Sequence, residues 1–94
     1  MPDKFSLSQN YPNPFNPVTK IRFSLPSPSK GGAQAVKLAI YDILGHEVAT
    51  LVNERLSPGT YEVEWNADNY TNGVYYYKLT ARNFSETKKM ILVK

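Results

Sequence analysis

Residues 60–65 read Thr60-Tyr61-Glu62-Val63-Glu64-Trp65. In an extended chain Tyr61, Val63 and Trp65 share one side, and Glu62 and Glu64 share the other. This alternation predicts a β-strand with one face buried and one in water. It decides the fold because it recurs along the chain and no 3.6-residue period competes with it. Ile21-Arg22-Phe23-Ser24-Leu25 alternates in the same way, as does Val36 to Tyr41. Val74 to Ala81 places Tyr75, Tyr77 and Leu79 on one face and Val74, Tyr76, Lys78 and Thr80 on the other. The run Lys89-Met90-Ile91-Leu92-Val93 is continuously apolar after its lysine, which predicts a strand flanked on both sides. Val48 to Val52 reads as a shorter strand, and Phe5-Ser6-Leu7 as a small edge strand.

Turn chemistry separates these runs. Asp42-Ile43-Leu44-Gly45 predicts a tight turn with Gly45 at positive φ. Ser57-Pro58-Gly59 is a turn, and Asn66 to Gly73 is a longer connection rich in Asn and Asp. Ser27 to Gly32 reads as a flexible loop, and Arg82-Asn83-Phe84 as the link between the last two strands. Short strands at this spacing, with no helical pattern, predict an all-β antiparallel immunoglobulin-like β-sandwich of about seven strands. Residues 10–17, Asn-Tyr-Pro-Asn-Pro-Phe-Asn-Pro, hold three prolines in six positions, which excludes a helix or a central strand. The structural residues of this arm are Tyr11, Pro12, Asn13, Pro14 and Phe15. It is expected to lie across an end of the sandwich with the Tyr11 and Phe15 rings packed down. The expected organisation is a single domain, with residues 1–17 as edge segment and proline-rich arm and 18–94 as the sandwich.

Composition excludes several function classes. The chain has 94 residues and no cysteine, so it carries no disulfide scaffold, thiolate nucleophile or zinc-finger framework. Its size leaves a thin core and little room for a deep cleft. Aromatic residues reach 13%, which suits a folded domain and not a disordered tail. The net charge of +3 is spread along the sequence, with Lys88-Lys89 the one adjacent basic pair, so nucleic acid is not an expected partner. No run approaches the ~18 apolar residues of a membrane helix, so no direct membrane insertion is expected. Met1-Pro2-Asp3-Lys4 lacks the apolar core of a signal peptide, so the chain is expected to be either cytoplasmic or a piece cut from a longer precursor.

Candidate chemistry is sparse. His46 is the one histidine and sits in a turn beside Gly45, where it reads as an exposed turn residue. Glu62 and Glu64 read as the solvated face of a strand. Asp68, Asn69 and Asn72 supply oxygens but do not follow calcium-loop spacing. Asn69-Tyr70-Thr71 and Asn83-Phe84-Ser85 match the N-glycosylation pattern, which has force only in a secretory host. Alternation sets Tyr76 opposite to Tyr75 and Tyr77, so the three rings form no single stacking platform for a sugar or a base. No catalytic residue, metal site or cofactor is expected.

The motifs form an ordered series. Tyr11-Pro12-Asn13-Pro14-Phe15-Asn16-Pro17 is followed by Ile21-Arg22-Phe23-Ser24-Leu25-Pro26, Tyr41-Asp42-Ile43-Leu44-Gly45-His46-Glu47-Val48 and Leu56-Ser57-Pro58-Gly59-Thr60-Tyr61. Gly73-Val74-Tyr75-Tyr76-Tyr77-Lys78-Leu79 and Lys88-Lys89-Met90-Ile91-Leu92-Val93-Lys94 close it. Over roughly residues 5–94 this resembles the type A C-terminal sorting domain of the type IX (Por) secretion system, and it is similar to the immunoglobulin-like domain related to that of flagellar hook-capping protein. The resemblance implies a non-enzymatic module at the end of a secreted or cell-surface protein that travels through the periplasm. Its implied partners are the outer-membrane secretion machinery and a sortase-like peptidase. By position, Gly73 and its strand, together with Lys89, Met90, Ile91, Leu92, Val93 and Lys94, match the family's sorting motifs. A sandwich leaves unpaired edge strands, so residues 85–94 are expected to be recognised by strand addition. Two other readings stay open: a structural spacer or self-assembling filament subunit that pairs through edge strands, and a carbohydrate-binding module.

Overall fold

The computed structural model describes residues 4–27 and 32–94. Most of the Ser27–Gly32 loop, residues 28–31, lies outside the described residues, as do residues 1–3. Seven strands follow one another and no helix occurs among the described residues: β1 Ser6–Leu7, β2 Val18–Leu25, β3 Gln34–Tyr41, β4 Glu47–Leu56, β5 Gly59–Asn66, β6 Gly73–Ala81 and β7 Phe84–Leu92. They form a three-stranded sheet in the order β1-β2-β5 and a four-stranded sheet in the order β4-β3-β6-β7, with every pair antiparallel. This is the immunoglobulin-like sandwich, with the fourth strand joined to the third.

The alternation that predicts the strands also builds the core. Ile21, Phe23 and Leu25 of β2 and Trp65 of β5 face inward from one sheet. Val36, Leu38 and Ile40 of β3 meet them from the other, with Tyr75, Tyr77 and Leu79 of β6 and Met90 and Leu92 of β7. At roughly 25 cal/mol for each Å² of apolar surface removed from water, this interior supplies most of the drive to fold. Phe15, Trp65, Tyr70 and Tyr75 gather at one end, with Trp65 5.7 Å from Phe15, 5.3 Å from Tyr70 and 5.5 Å from Tyr75 between ring centroids. Tilted and edge-on contacts of this kind add to simple burial.

Two strands differ from the sequence reading. β4 is no short strand: it is the longest, at 10 residues. Its second half, Asn53-Glu54-Arg55, is exposed on both sides and is held by backbone pairing to Lys37, Val36 and Ala35. An edge strand that overhangs the facing sheet has nothing to bury, so its side chains carry no alternation. β7 begins at Phe84, which the sequence reading places in the linker, and only one of its two faces is buried. Met90 and Leu92 are fully buried, Ile91 is half-buried and Lys89 is exposed.

The arm also departs from expectation in one ring. Asn10 turns inward and is buried, so the next residue of an extended chain turns outward, and Tyr11 is 80% exposed. Its backbone, not its ring, holds it: the Tyr11 N–H donates to the Lys20 carbonyl at 2.9 Å, and the Lys20 N–H returns the bond at 3.0 Å. Phe15, four residues on, is buried as expected, at 1% exposure. The N-terminal segment therefore runs down the edge of β2 as far as Tyr11 and then crosses to the edge of β7.

Candidate functional site

The residues matched to sorting motifs converge at one end of the sandwich. Gly73 opens β6 and pairs with Leu92 of β7, while Phe15 of the arm bridges Leu92 in parallel. Gly73 has a φ of 145°, a region that residues with a Cβ rarely adopt, although no atom lies within 4 Å of where that Cβ would sit. Glycine is therefore required there by backbone conformation and not by crowding.

The outer edge of β7 is already occupied. The Phe15 N–H donates to the Ile91 carbonyl at 2.9 Å, and the Val93 N–H donates to the Phe15 carbonyl at 3.0 Å. The Ile91 N–H donates to Asn13 Oδ1 at 3.0 Å, and Gln9 Nε2 donates to the Lys89 carbonyl at 2.7 Å. From Lys89 to Val93 the arm thus takes the backbone groups that a new strand would need. Over Lys89 to Val93, though not over residues 85–88, this departs from the expectation of a free terminal edge, because a proline-rich segment can satisfy an edge through side chains and single residues without forming a strand.

Below the arm lies a buried polar knot that the sequence did not mark. Asn10 Nδ2 donates to Thr19 Oγ1 at 3.0 Å and to the Pro12 carbonyl at 3.1 Å, and Thr19 Oγ1 donates to the same carbonyl at 2.9 Å. The Tyr77 hydroxyl crosses from the four-stranded sheet to accept the Asn10 N–H at 2.8 Å and donate to the Ser8 carbonyl at 2.7 Å. Burial pushes the Tyr77 phenol up to about 12. Asn10 opens the proline-rich segment 10–17, and that position is the one available signal for it.

Lys94 is also tied down. Its N–H donates to Asn72 Oδ1 at 2.9 Å, and its ammonium donates to the Asp68 carbonyl at 2.6 Å. Both Asn72 and Asp68 belong to the connection between β5 and β6, and of the side-chain oxygens in the calcium reading Asn72 Oδ1 is taken by the Lys94 backbone N–H. Of the remaining candidates, His46 is exposed in the β3–β4 turn. There Asp42 Oδ1 accepts the His46 and Leu44 N–H groups, each at 2.9 Å. These bonds, the one to His46 first, hold the Asp42 carboxyl below the usual carboxylate range. Glu62 and Glu64 are exposed opposite Arg22 and Lys20. The described residues contain no cluster of three or more His, Asp or Glu side chains placed to hold a metal.

The terminal segment, Gly73, the arm and the loop that holds Lys94 thus form one contiguous surface. A family model described as "Secretion system C-terminal sorting domain" matches residues 9–94, which takes in the arm, β2 to β7 and the terminal lysine. Comparison with curated proteins and with solved structures found no match. Domains of this family are non-catalytic sorting signals for type IX secretion, recognised by that machinery, and they mark proteins for secretion or the cell surface. The chain belongs to the secretion system C-terminal sorting domain family.

Proposed function

We propose that the machinery reads this domain at Gly73 and Lys89 to Lys94, through the outward side chains of the terminal segment and not through its backbone edge, with Gly73 setting the backbone turn beside it. The observation that carries this reading is the arm's hold on Lys89 to Val93, which leaves Lys89, Ile91, Val93 and Lys94 to present their side chains while Met90 and Leu92 anchor the strand. The chain itself performs no catalysis. A cargo ahead of it is exported through the periplasm, and a sortase-like peptidase then removes the domain and leaves the cargo at the surface.

The test is a reporter with its own signal peptide placed ahead of the full chain in a cell that has the secretion system. Deleting Lys89 to Lys94 is expected to retain the reporter in the periplasm. That deletion also removes Met90 and Leu92 from the core, so Lys94→Ala with an unchanged melting temperature is the sharper variant. Wild-type export of both variants contradicts the reading. Self-association through edge strands remains available at β4 and β5, whose outer edges have no strand partner among the described residues. A single monomer peak in size-exclusion chromatography at high concentration overturns that second reading.

A further inference from the structure

The two outer faces of the sandwich differ in charge. On the three-stranded sheet, Lys20 lies opposite Glu64, Arg22 opposite Glu62 and Ser24 opposite Thr60. Arg22 and Glu62 approach to 3.4 Å, and the two hydroxyls to 3.1 Å. Every charge this ladder points outward has an opposite charge beside it, so the face is matched within itself.

The four-stranded sheet is not matched. Its register places Lys37, Arg55, Lys78 and Lys89 on the outer face, with Glu47 as the one acid among the outward ladder positions. Glu47 is taken by Lys37 at 3.0 Å, and among the described residues Arg55, Lys78 and Lys89 have no ion-pair partner. Aromatic and apolar side chains gather at the β3–β4 turn end of the face, beside Lys78 and Lys89: Tyr41 opposite Tyr76, and beyond them Val74 opposite Ile91. At one end the β3–β4 turn raises Ile43 and Leu44 into solvent, at 68% and 77% exposure. A shallow depression of about 300 Å³ lies between that turn and the sheet, lined by Tyr41, Asp42, Ile43, Gly45, Tyr76, Lys78 and Thr87, with the Asp42 carboxylate turned to the Leu44 and His46 N–H groups of its own turn.

We infer that this outer face of β4-β3-β6-β7 is the surface that docks on the secretion machinery, and that it takes an acidic protein surface bearing an apolar group at one end. The inference rests on the sorting role and extends it beyond the terminal segment. Cations without an ion-pair partner, running from an end that carries tyrosines and aliphatic groups, give the mix of charge and exposed apolar surface that protein interfaces use. A partner of opposite charge would be steered to this face and away from the neutral one. An anionic lipid surface would use both the lysines and the tyrosines, but the depression between Tyr41, Ile43 and Tyr76 is shaped for a protruding side chain, which a protein partner offers.

The test uses the same reporter fused to the full chain. Two variants address the face, Arg55→Glu with Lys78→Glu, and Ile43→Ser with Leu44→Ser. Lys20→Glu with Arg22→Glu makes the same change in net charge on the other face. Melting temperatures confirm that each is folded. Both face variants are expected to lose export roughly tenfold or more, while the control stays within about twofold of wild type. If the face variants export normally while deletion of Lys89 to Lys94 abolishes export, the sorting role stands and the docking face is overturned. If the deletion also exports normally, the sorting role itself fails and takes this inference with it. Binding of the purified chain to phosphatidylglycerol vesicles, lost in Arg55→Glu with Lys78→Glu, assigns the face to lipid and overturns the protein partner.

Discussion

Tyr77 links the two sheets through one hydroxyl, and its removal is a test at the scale of a single residue. Tyr77→Phe keeps the ring in the core but leaves the Asn10 N–H and the Ser8 carbonyl without their partner. The expected cost is about 1–3 kcal/mol in denaturant unfolding, because buried groups that lose a partner pay their desolvation. The pH dependence has a definite sign. The folded phenol titrates at about 12 and the ordinary value is 10.0, so the two states hold the proton equally below pH 10. Between those values the unfolded chain gives up the proton first, and stability falls as pH rises. The Phe variant should lack that part of the decline. Gly73→Ala forces a Cβ onto a φ of 145° and should cost about 1–3 kcal/mol in thermal or chemical melts. Wild-type stability would show that the turn can relax. Legibility at this scale was uneven. Phe15 was readable as a buried ring, but Tyr11 was not readable as an exposed one, because the register of an irregular arm depends on a buried Asn10 that no periodicity announces.

Among the elements, the arm and β7 are the informative pair. The arm completes an edge that would otherwise be open, and Phe15 is its anchor in the aromatic cluster. Phe15→Ala should destabilise the domain by about 3–5 kcal/mol, the usual loss for a buried phenylalanine. That is a large part of the ~5–15 kcal/mol that holds a domain folded. The same variant should release the amides of Ile91 and Val93 to faster hydrogen exchange, while amides in the middle of β3 keep their order of protection. Uniform acceleration at every site would argue that the arm is not a separate latch. The strands with one buried face, β2, β5 and β6, were legible from alternation. The lengths of β4 and β7 were not, because Asn53 to Arg55 and Phe84 to Lys88 join the ladder by backbone pairing, and backbone groups are the same at every residue.

As a whole molecule, the domain is a small sandwich whose N-terminal arm, one loop and C-terminus meet at one end. The sandwich class and the sorting role were legible in the ordered motifs. The contact between arm and terminal strand was not, since nothing in a linear reading brings residue 15 beside residue 92. The separation of charge between the two outer faces was equally hidden, because Lys37, Arg55, Lys78 and Lys89 are scattered in sequence and share a face only through the strand order. The central claim is that the outward side chains of the folded terminal segment are the sorting signal. The most direct measurement is the fraction of a fused reporter found outside the cell when Lys89→Ser, Ile91→Ser, Val93→Ser and Lys94→Ala are combined, with Met90 and Leu92 intact and the melting transition retained. Retention of the reporter in the periplasm is the predicted result, and export at the wild-type level would contradict the account.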